Sequence, residues 1–201
     1  MAEMLAIMNA ALLAQGQDEI VSETSGLDEF RILSRNWPII VEAELEAGLY
    51  EFARKDATLL NREEGHFGYE WAYRVPGDAL HVRHVKVQTA GALYPVMDWS
   101  QDGAHVHCDE ESGIWIEYVT TPRTDLWSAN FTRGVQCELE AIIARAIREE
   151  PGEASDMEMK AARHFETART RASQGRAPRE PYSGPTRFLD ARRGRGSRGA
   201  R

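Results

Sequence analysis

The stretch Gly65-His66-Phe67-Gly68-Tyr69-Glu70-Trp71-Ala72-Tyr73 is aromatic and interrupted by glycine, and it leads into Val75-Pro76-Gly77-Asp78. Helical spacing stops here, and the Pro-Gly pair is typical of a turn. The apolar residues that follow predict a strand with a change of phase, which indicates a β-bulge between positions 82 and 85. Ala104–Cys108 and Ile114–Val119 predict two further strands around the turn Asp109–Gly113. Residues 66–120 are therefore predicted to form a small antiparallel sheet or hairpin.

Two helices are predicted before this β region. Apolar residues recur at helical spacing over residues 3–15, and Gly16 ends the run. A second apolar stripe predicts a long helix over residues 26–53, with Ser25 as its N-cap. Pro38 lies inside this helix, so we expect a kink or a break near Asn36–Trp37.

Two more helices are predicted after the β region, over residues 130–149 and 155–173. Ser128 or Asn130 is expected to cap the first, and the capping-box pattern Ser155-x-x-Glu158 is expected to open the second. The order predicts an α+β fold, a helical bundle with an inserted small antiparallel β-sheet or hairpin. The predicted core residues are Trp37, Phe52, Tyr73, Pro76, Phe131, Leu139 and Ile143.

The end of the chain differs in composition from the predicted domain, residues 1–173. Gly, Pro and Arg dominate residues 174–201, and helical periodicity is lost there. We therefore predict an extended basic C-terminal arm.

Charge divides the 201-residue chain in the same way. The formal net charge is −8, but residues 1–150 hold 12 Lys and Arg against 26 Asp and Glu, whereas residues 151–201 hold 12 against 6. An acidic body argues against a domain that grips duplex DNA, since neutralising phosphates needs clustered cations. No apolar stretch approaches the roughly 20 residues of a membrane-spanning helix. The two cysteines, Cys108 and Cys137, allow one disulfide but no disulfide framework and no CxxC zinc site, so synthesis in a reducing cytoplasm is expected.

Few residues form a pattern that points to chemistry. His105-x-His107 puts two imidazoles on one face of a strand, but an open metal site needs a third protein ligand and no second pair has matching spacing. His81 and His84 fall on opposite strand faces unless the bulge realigns them. The Gly194-x-Gly196-x-x-Gly199 pattern lacks the strand and helix of a dinucleotide site. We therefore predict no catalytic residue, no metal, no cofactor and no enzymatic activity.

The last ten residues carry five arginines and no acidic side chain. One interpretation is a solubilising end without a partner. A second is an Arg/Gly segment that contacts nucleic-acid phosphates, and a third is an arm that orders on an acidic protein partner. Composition alone leaves these three open.

The order of short motifs along residues 3–173 is similar to that of a known family. The motifs are Met4-Leu5-x-x-Met8-Asn9-x-Ala11-Leu12 ending in Gly16, Tyr50-Glu51-Phe52-Ala53-Arg54-Lys55, the segment 67–80 with Val75-Pro76-Gly77-Asp78, and Trp115–Tyr118 before Phe131. In this order they resemble the head-to-tail adaptor proteins of tailed bacteriophages, of the tail tubular protein A type. The chain departs from the pattern at Tyr50, where the family has Trp, and at Pro38.

The resemblance implies a structural virion protein at the head–tail junction, synthesised in the host cytoplasm. Such adaptors form a homo-oligomeric ring, typically of twelve copies, between the portal protein and a downstream nozzle or stopper protein of the tail. Genomic DNA passes through the ring without specific binding, and no membrane is involved. The alternative function is a small nucleic-acid-binding or packaging protein that uses its Arg/Gly tail.

The resemblance also assigns surfaces. It implies that residues 174–201 dock on the portal, while Gly91–Asp98 and Asp109–Gly113 face the tail. The arm residues expected to make the portal contact are Tyr182, Arg187, Phe188, Leu189, Arg192, Arg193, Arg195, Arg198 and Arg201.

Overall fold

The computed structural model describes residues 2–21 and 28–174, which contain helices at both ends and strands between them. The α-helices are α1 (Ala2–Ala14), α2 (Asp28–Ala47), α3 (Ala129–Ala146) and α4 (Pro151–Gln174), with short 3-10 turns at Glu51–Ala53 and Thr124–Leu126. The strands are β1 (Arg54–Leu59), β2 (Arg62–Glu64), β3 (Trp71–Arg74), β4 (Ala79–Thr89), β5 (Ala92–Pro95), β6 (Ser100–Asp102), β7 (His105–Cys108) and β8 (Ile114–Thr120). The predicted α+β class is confirmed.

The β region is larger than the single small sheet or hairpin that the sequence predicts. It forms two four-stranded antiparallel sheets, with strand orders β1-β8-β4-β5 and β2-β3-β7-β6. It also begins at Arg54 rather than near residue 66, because β1 pairs with β8 from Arg54 opposite Val119 to Leu59 opposite Ile114. The first and last strands of the β region are therefore direct neighbours.

The two sheets pack face to face through one hydrophobic cluster. Alternate residues of β8, such as Ile116, face inward and meet Tyr73 and Val106 of the other sheet. The predicted bulge is present in β4, where the register against β8 shifts between Val82 and His84. This shift keeps Val82 and Val85 buried on the same face although they are three residues apart.

The helices enclose a second hydrophobic cluster around α3, which contacts each of the other three helices. Ser128 caps α3, since its hydroxyl oxygen accepts a hydrogen bond from the Phe131 N–H at 3.3 Å. Val119 of β8 belongs to this cluster and Leu80 of β4 packs against it, so the helices contact one end of the first sheet.

Several predicted helix bounds are wrong for identifiable reasons. The helix predicted over 26–53 ends at Ala47, since residues 48–53 form the turn that leads into β1. No break occurs at Pro38, because apolar contacts on both sides of it hold α2 together, among them those of Leu33 and Val41. The last helix begins at Pro151, where proline is favoured, so Ser155 lies inside α4 and does not open it. Ser25 lies outside the described residues.

The predicted core residues divide into two groups. Tyr73, Phe131, Leu139 and Ile143 are fully buried, whereas Trp37, Phe52 and Pro76 are half-buried. Trp37 stacks on Trp127 with ring centroids 5.5 Å apart, and Phe131 packs edge-on against the rings of Tyr50, Phe52, Trp127 and Phe165. Cys108 and Cys137 are free thiols buried in different clusters, and burial raises the pKa of each.

Close packing of α3 on α4 requires a glycine, which generates a testable prediction. A Cβ atom at Gly134 would lie 2.5 Å from Cε1 of Phe165. Gly134→Ala should therefore lower the free energy of unfolding by about 1–3 kcal/mol, measured by urea denaturation. Gly152→Ala is the control, because a Cβ there meets no neighbour within 4 Å and should be neutral or stabilising. Equal stability of the two variants would contradict the packing.

Candidate functional site

Three connecting loops gather near one end of the paired sheets, at residues 65–70, 96–99 and 109–113, and the tip of the β4–β5 hairpin, residues 89–91, extends beyond them. We call these four segments the loop end. Tyr69 donates a hydrogen bond to Asp98 Oδ1 at 2.8 Å, and the Glu70 N–H donates to Asp109 Oδ1 at 2.9 Å. Leu93 and Gly113 line a shared groove between the β4–β5 hairpin and the β7–β8 loop. The two segments that the resemblance assigns to the tail are therefore spatial neighbours.

The loop at residues 65–70 is a part of this end that the sequence analysis did not assign to a surface. It connects β2 to β3 and holds Phe67 at a positive φ of 59°, followed by Gly68 at 93°. A positive φ is unfavourable for an aromatic residue. The Phe67 side chain is nevertheless 74% exposed, so it gains little from burial. In the sequence, only the glycines on either side of the aromatic residue, Gly65 and Gly68, indicate that this loop is unusual.

His107 holds this loop in place. The imidazole is 1% exposed, and its Nδ1 accepts a hydrogen bond from the His66 N–H at 3.2 Å. Because Nδ1 accepts, the proton of the neutral ring lies on Nε2, which is 3.1 Å from Asp102 Oδ1 in a poorly aligned contact. The contact with His107 lowers the pKa of Asp102. The Phe67 ring packs edge-on against His107 at 5.5 Å.

The arrangement of His107 leaves neither ring nitrogen directed toward an open ligand position. His105 does share the strand face of His107, as the spacing predicts, with ring centroids 6.3 Å apart. Its Nε2 lies 3.6 Å from Glu63 and its Nδ1 lies 3.8 Å from Asp102. Across residues 2–21 and 28–174, no group of three or more His, Cys, Asp or Glu side chains is arranged to hold a metal ion.

The β4 bulge realigns His81 and His84, which a regular strand would place on opposite faces. They lie opposite Val119 and Glu117, two residues apart on β8, and so occupy the same sheet face. Burial lowers the pKa of His81. These histidines lie toward the helices rather than at the loop end.

A second set of polar contacts joins the helices to the start of the β region. The buried Glu44 carboxylate of α2 accepts a hydrogen bond from the Tyr50 hydroxyl and two from Arg169 of α4, at 2.8 Å and 2.6 Å. Burial, followed by the contact with Glu44, raises the pKa of Tyr50. The same carboxylate raises the pKa of Arg169. These contacts hold α4 near its last turn, just before the predicted arm begins.

The portal-docking residues predicted in the arm, 182–201, all lie outside the described residues. No helix in the described part of the chain combines the length and apolar character needed to cross a membrane. In the comparisons with known proteins, no family model matches the chain and no curated protein is similar to it.

The buried carboxylate gives a second prediction. Arg169→Ala leaves Glu44 without its cation, so the free energy of unfolding should fall by about 1–3 kcal/mol, less than for a fully buried pair because Arg169 is partly exposed. Urea denaturation measures the change. Arg163→Ala, an exposed arginine on the same helix, should change stability by less than about 0.5 kcal/mol. A similar loss in both variants would show that Glu44 does not depend on Arg169.

The His107 contact gives a third prediction, measured by amide hydrogen exchange of peptides that cover residues 63–71. His107→Phe removes the acceptor of the His66 N–H, so exchange in this loop should accelerate by roughly 5-fold, as expected for one lost hydrogen bond. His105→Phe, on the same strand face, should leave this exchange nearly unchanged, since the His105 imidazole contacts the side chains of Glu63 and Asp102 rather than the backbone of the loop. Unchanged protection in the His107 variant would contradict the role of this contact.

Proposed function

We propose that this chain is a structural virion protein, a head-to-tail adaptor without enzymatic activity. Copies of it form a ring, typically of twelve subunits, that joins the portal to the tail and encloses part of the DNA exit channel. In this proposal α1–α4 form a helical bundle that carries the paired sheets as an insertion. The proposal rests on the order and spacing of the sequence motifs that resemble this family.

The structural observation that best supports the proposal is the separation of two surfaces along β4. Leu80, near its start, packs against the helical cluster, and the strand continues to Thr89 at the loop end. At about 3.3 Å per residue, these nine intervals cover about 30 Å. A connector needs two distinct surfaces of this kind, one for each neighbour in the assembly.

The charge of the body also supports a channel. Residues 1–150 carry more than twice as many acidic as basic side chains. An acidic wall repels phosphates, so DNA can move past it without binding. In this proposal the basic arm, residues 174–201, docks on the portal and orders there.

Co-assembly with the portal protein of the same genome tests the proposal. The full-length chain should form rings on the portal that are visible by electron microscopy, and a chain that ends at Ser173 should not. The truncated chain should keep its melting temperature, because residues 174–201 contain few large apolar side chains. Rings formed equally by both chains would overturn the docking role of the arm.

The alternative function, nucleic-acid binding through the arm, is favoured by the five arginines of residues 192–201. It predicts affinity for DNA that falls steeply as salt is raised and that disappears in the chain ending at Ser173. Such binding, together with failure of the full-length chain to assemble on the portal, would replace the adaptor proposal.

A further inference from the structure

We infer that the loop end is a docking surface for a basic protein, with Phe67 and Met97 as its apolar anchors. The inference rests on the proposed function, which supplies the partner as the downstream tail protein, and it adds the chemistry of that contact. It also adds the loop at residues 65–70, which the resemblance does not assign to a surface.

The first supporting observation is the concentration of exposed apolar side chains. Met97 is 88% exposed and Phe67 is 74% exposed, both on loops that the Tyr69–Asp98 hydrogen bond links. Three other large apolar side chains at or beside this end are also exposed, namely Leu60, Leu93 and Tyr94. Single exposed apolar residues are ordinary, but a group on connected loops is typical of an interaction site.

The second observation is that the fold holds Phe67 outward against its local preference. The residue has a positive φ, which is unfavourable for a residue with a Cβ, and its largely exposed ring makes little compensating contact beyond the edge-on packing against His107. Three hydrogen bonds nonetheless fix the loop on both sides of it, to His107, Asp98 and Asp109. A pre-organised aromatic side chain loses little conformational entropy when it enters a partner's pocket.

The third observation is the charge around these anchors, which identifies the chemistry of the partner. The loop end together with the adjoining residues 60–64, all described by the structure, contains seven acidic side chains: Glu63, Glu64, Glu70, Asp98, Asp109, Glu110 and Glu111. Arg62 is the only Lys or Arg in these segments, and it pairs with Glu111 at 2.9 Å and lies over the Trp71 ring. An acidic rim of this kind favours a basic protein surface and repels nucleic acid.

The test measures binding of the purified downstream tail protein of the same genome to the full-length chain and its variants. Phe67→Ser/Met97→Ser should weaken binding by at least about 10-fold, as expected for loss of central apolar anchors. Ile39→Ser is the matched control, since Ile39 is similarly exposed but lies on α2, and it should bind as the wild type does. Both positions are largely exposed, so circular dichroism should be unchanged, and the lost edge contact of Phe67 with His107 should lower the melting temperature by at most about a few degrees.

A charge variant tests the chemistry of the partner separately. Glu64→Lys/Glu70→Lys should weaken binding by about 10-fold at low salt, and wild-type binding should weaken as salt is raised. Glu166→Lys, an exposed change on α4, is the control and should have little effect. If Glu64→Lys/Glu70→Lys binds as tightly as the wild type, the inference that the partner is basic is overturned.

Ring formation on the portal distinguishes failure of this inference from failure of the proposed function. Loss of tail-protein binding by Phe67→Ser/Met97→Ser with rings preserved would support the inference. If that variant binds the tail protein as tightly as the wild type does, and still forms rings, the docking surface is overturned and the adaptor role stands. If the wild type self-associates and the variant does not, the surface binds a second copy of this chain, and the inference is overturned. If the wild-type chain binds neither the portal nor the tail protein, the proposed function itself is overturned.

Discussion

The contacts of Tyr50 connect the helices to the sheets. Its hydroxyl donates to the Glu44 carboxylate, which also binds Arg169, so one buried acceptor links α2, α4 and the turn before β1. Its ring packs against Phe131 at the start of α3. A buried carboxylate is costly unless it is paired, so loss of either partner should destabilise this junction. Through them the direction of β1, and hence of both sheets, is fixed relative to the helices.

The sequence predicts the parts of the fold in which burial produces periodicity. Helices α1 and α3 follow from apolar spacing, and the start of α3 follows from Ser128. Strand β1 was missed because Arg54–Leu59 is a largely exposed edge strand whose partners on β8 are about 60 residues away. The end of α2 was misplaced because Tyr50 and Phe52 continue the apolar spacing while packing in the junction with the sheets.

The candidate site could be predicted only in part, since it depends on contacts between distant segments. The turn Asp109–Gly113 and the glycines around Phe67 are visible in the sequence, but the Tyr69–Asp98 and His66–His107 hydrogen bonds join residues 29 and 41 positions apart. The spacing of His105 and His107 correctly predicts that their side chains lie on the same face of the strand. It gives no indication that His107 is buried and supports the backbone of a neighbouring loop.

The pairing of β1 with β8 has a mechanical consequence. β1 runs from the junction with the helices toward the loop end and β8 runs back, with six residue pairs in register from Arg54–Val119 to Leu59–Ile114. Their hydrogen bonds lie perpendicular to the strands. Because both strands join the helical part at one end and the loops at the other, a pull between the two ends of the molecule is shared by the two strands and does not slide one past the other. The fold can carry tension along this axis without first losing a strand.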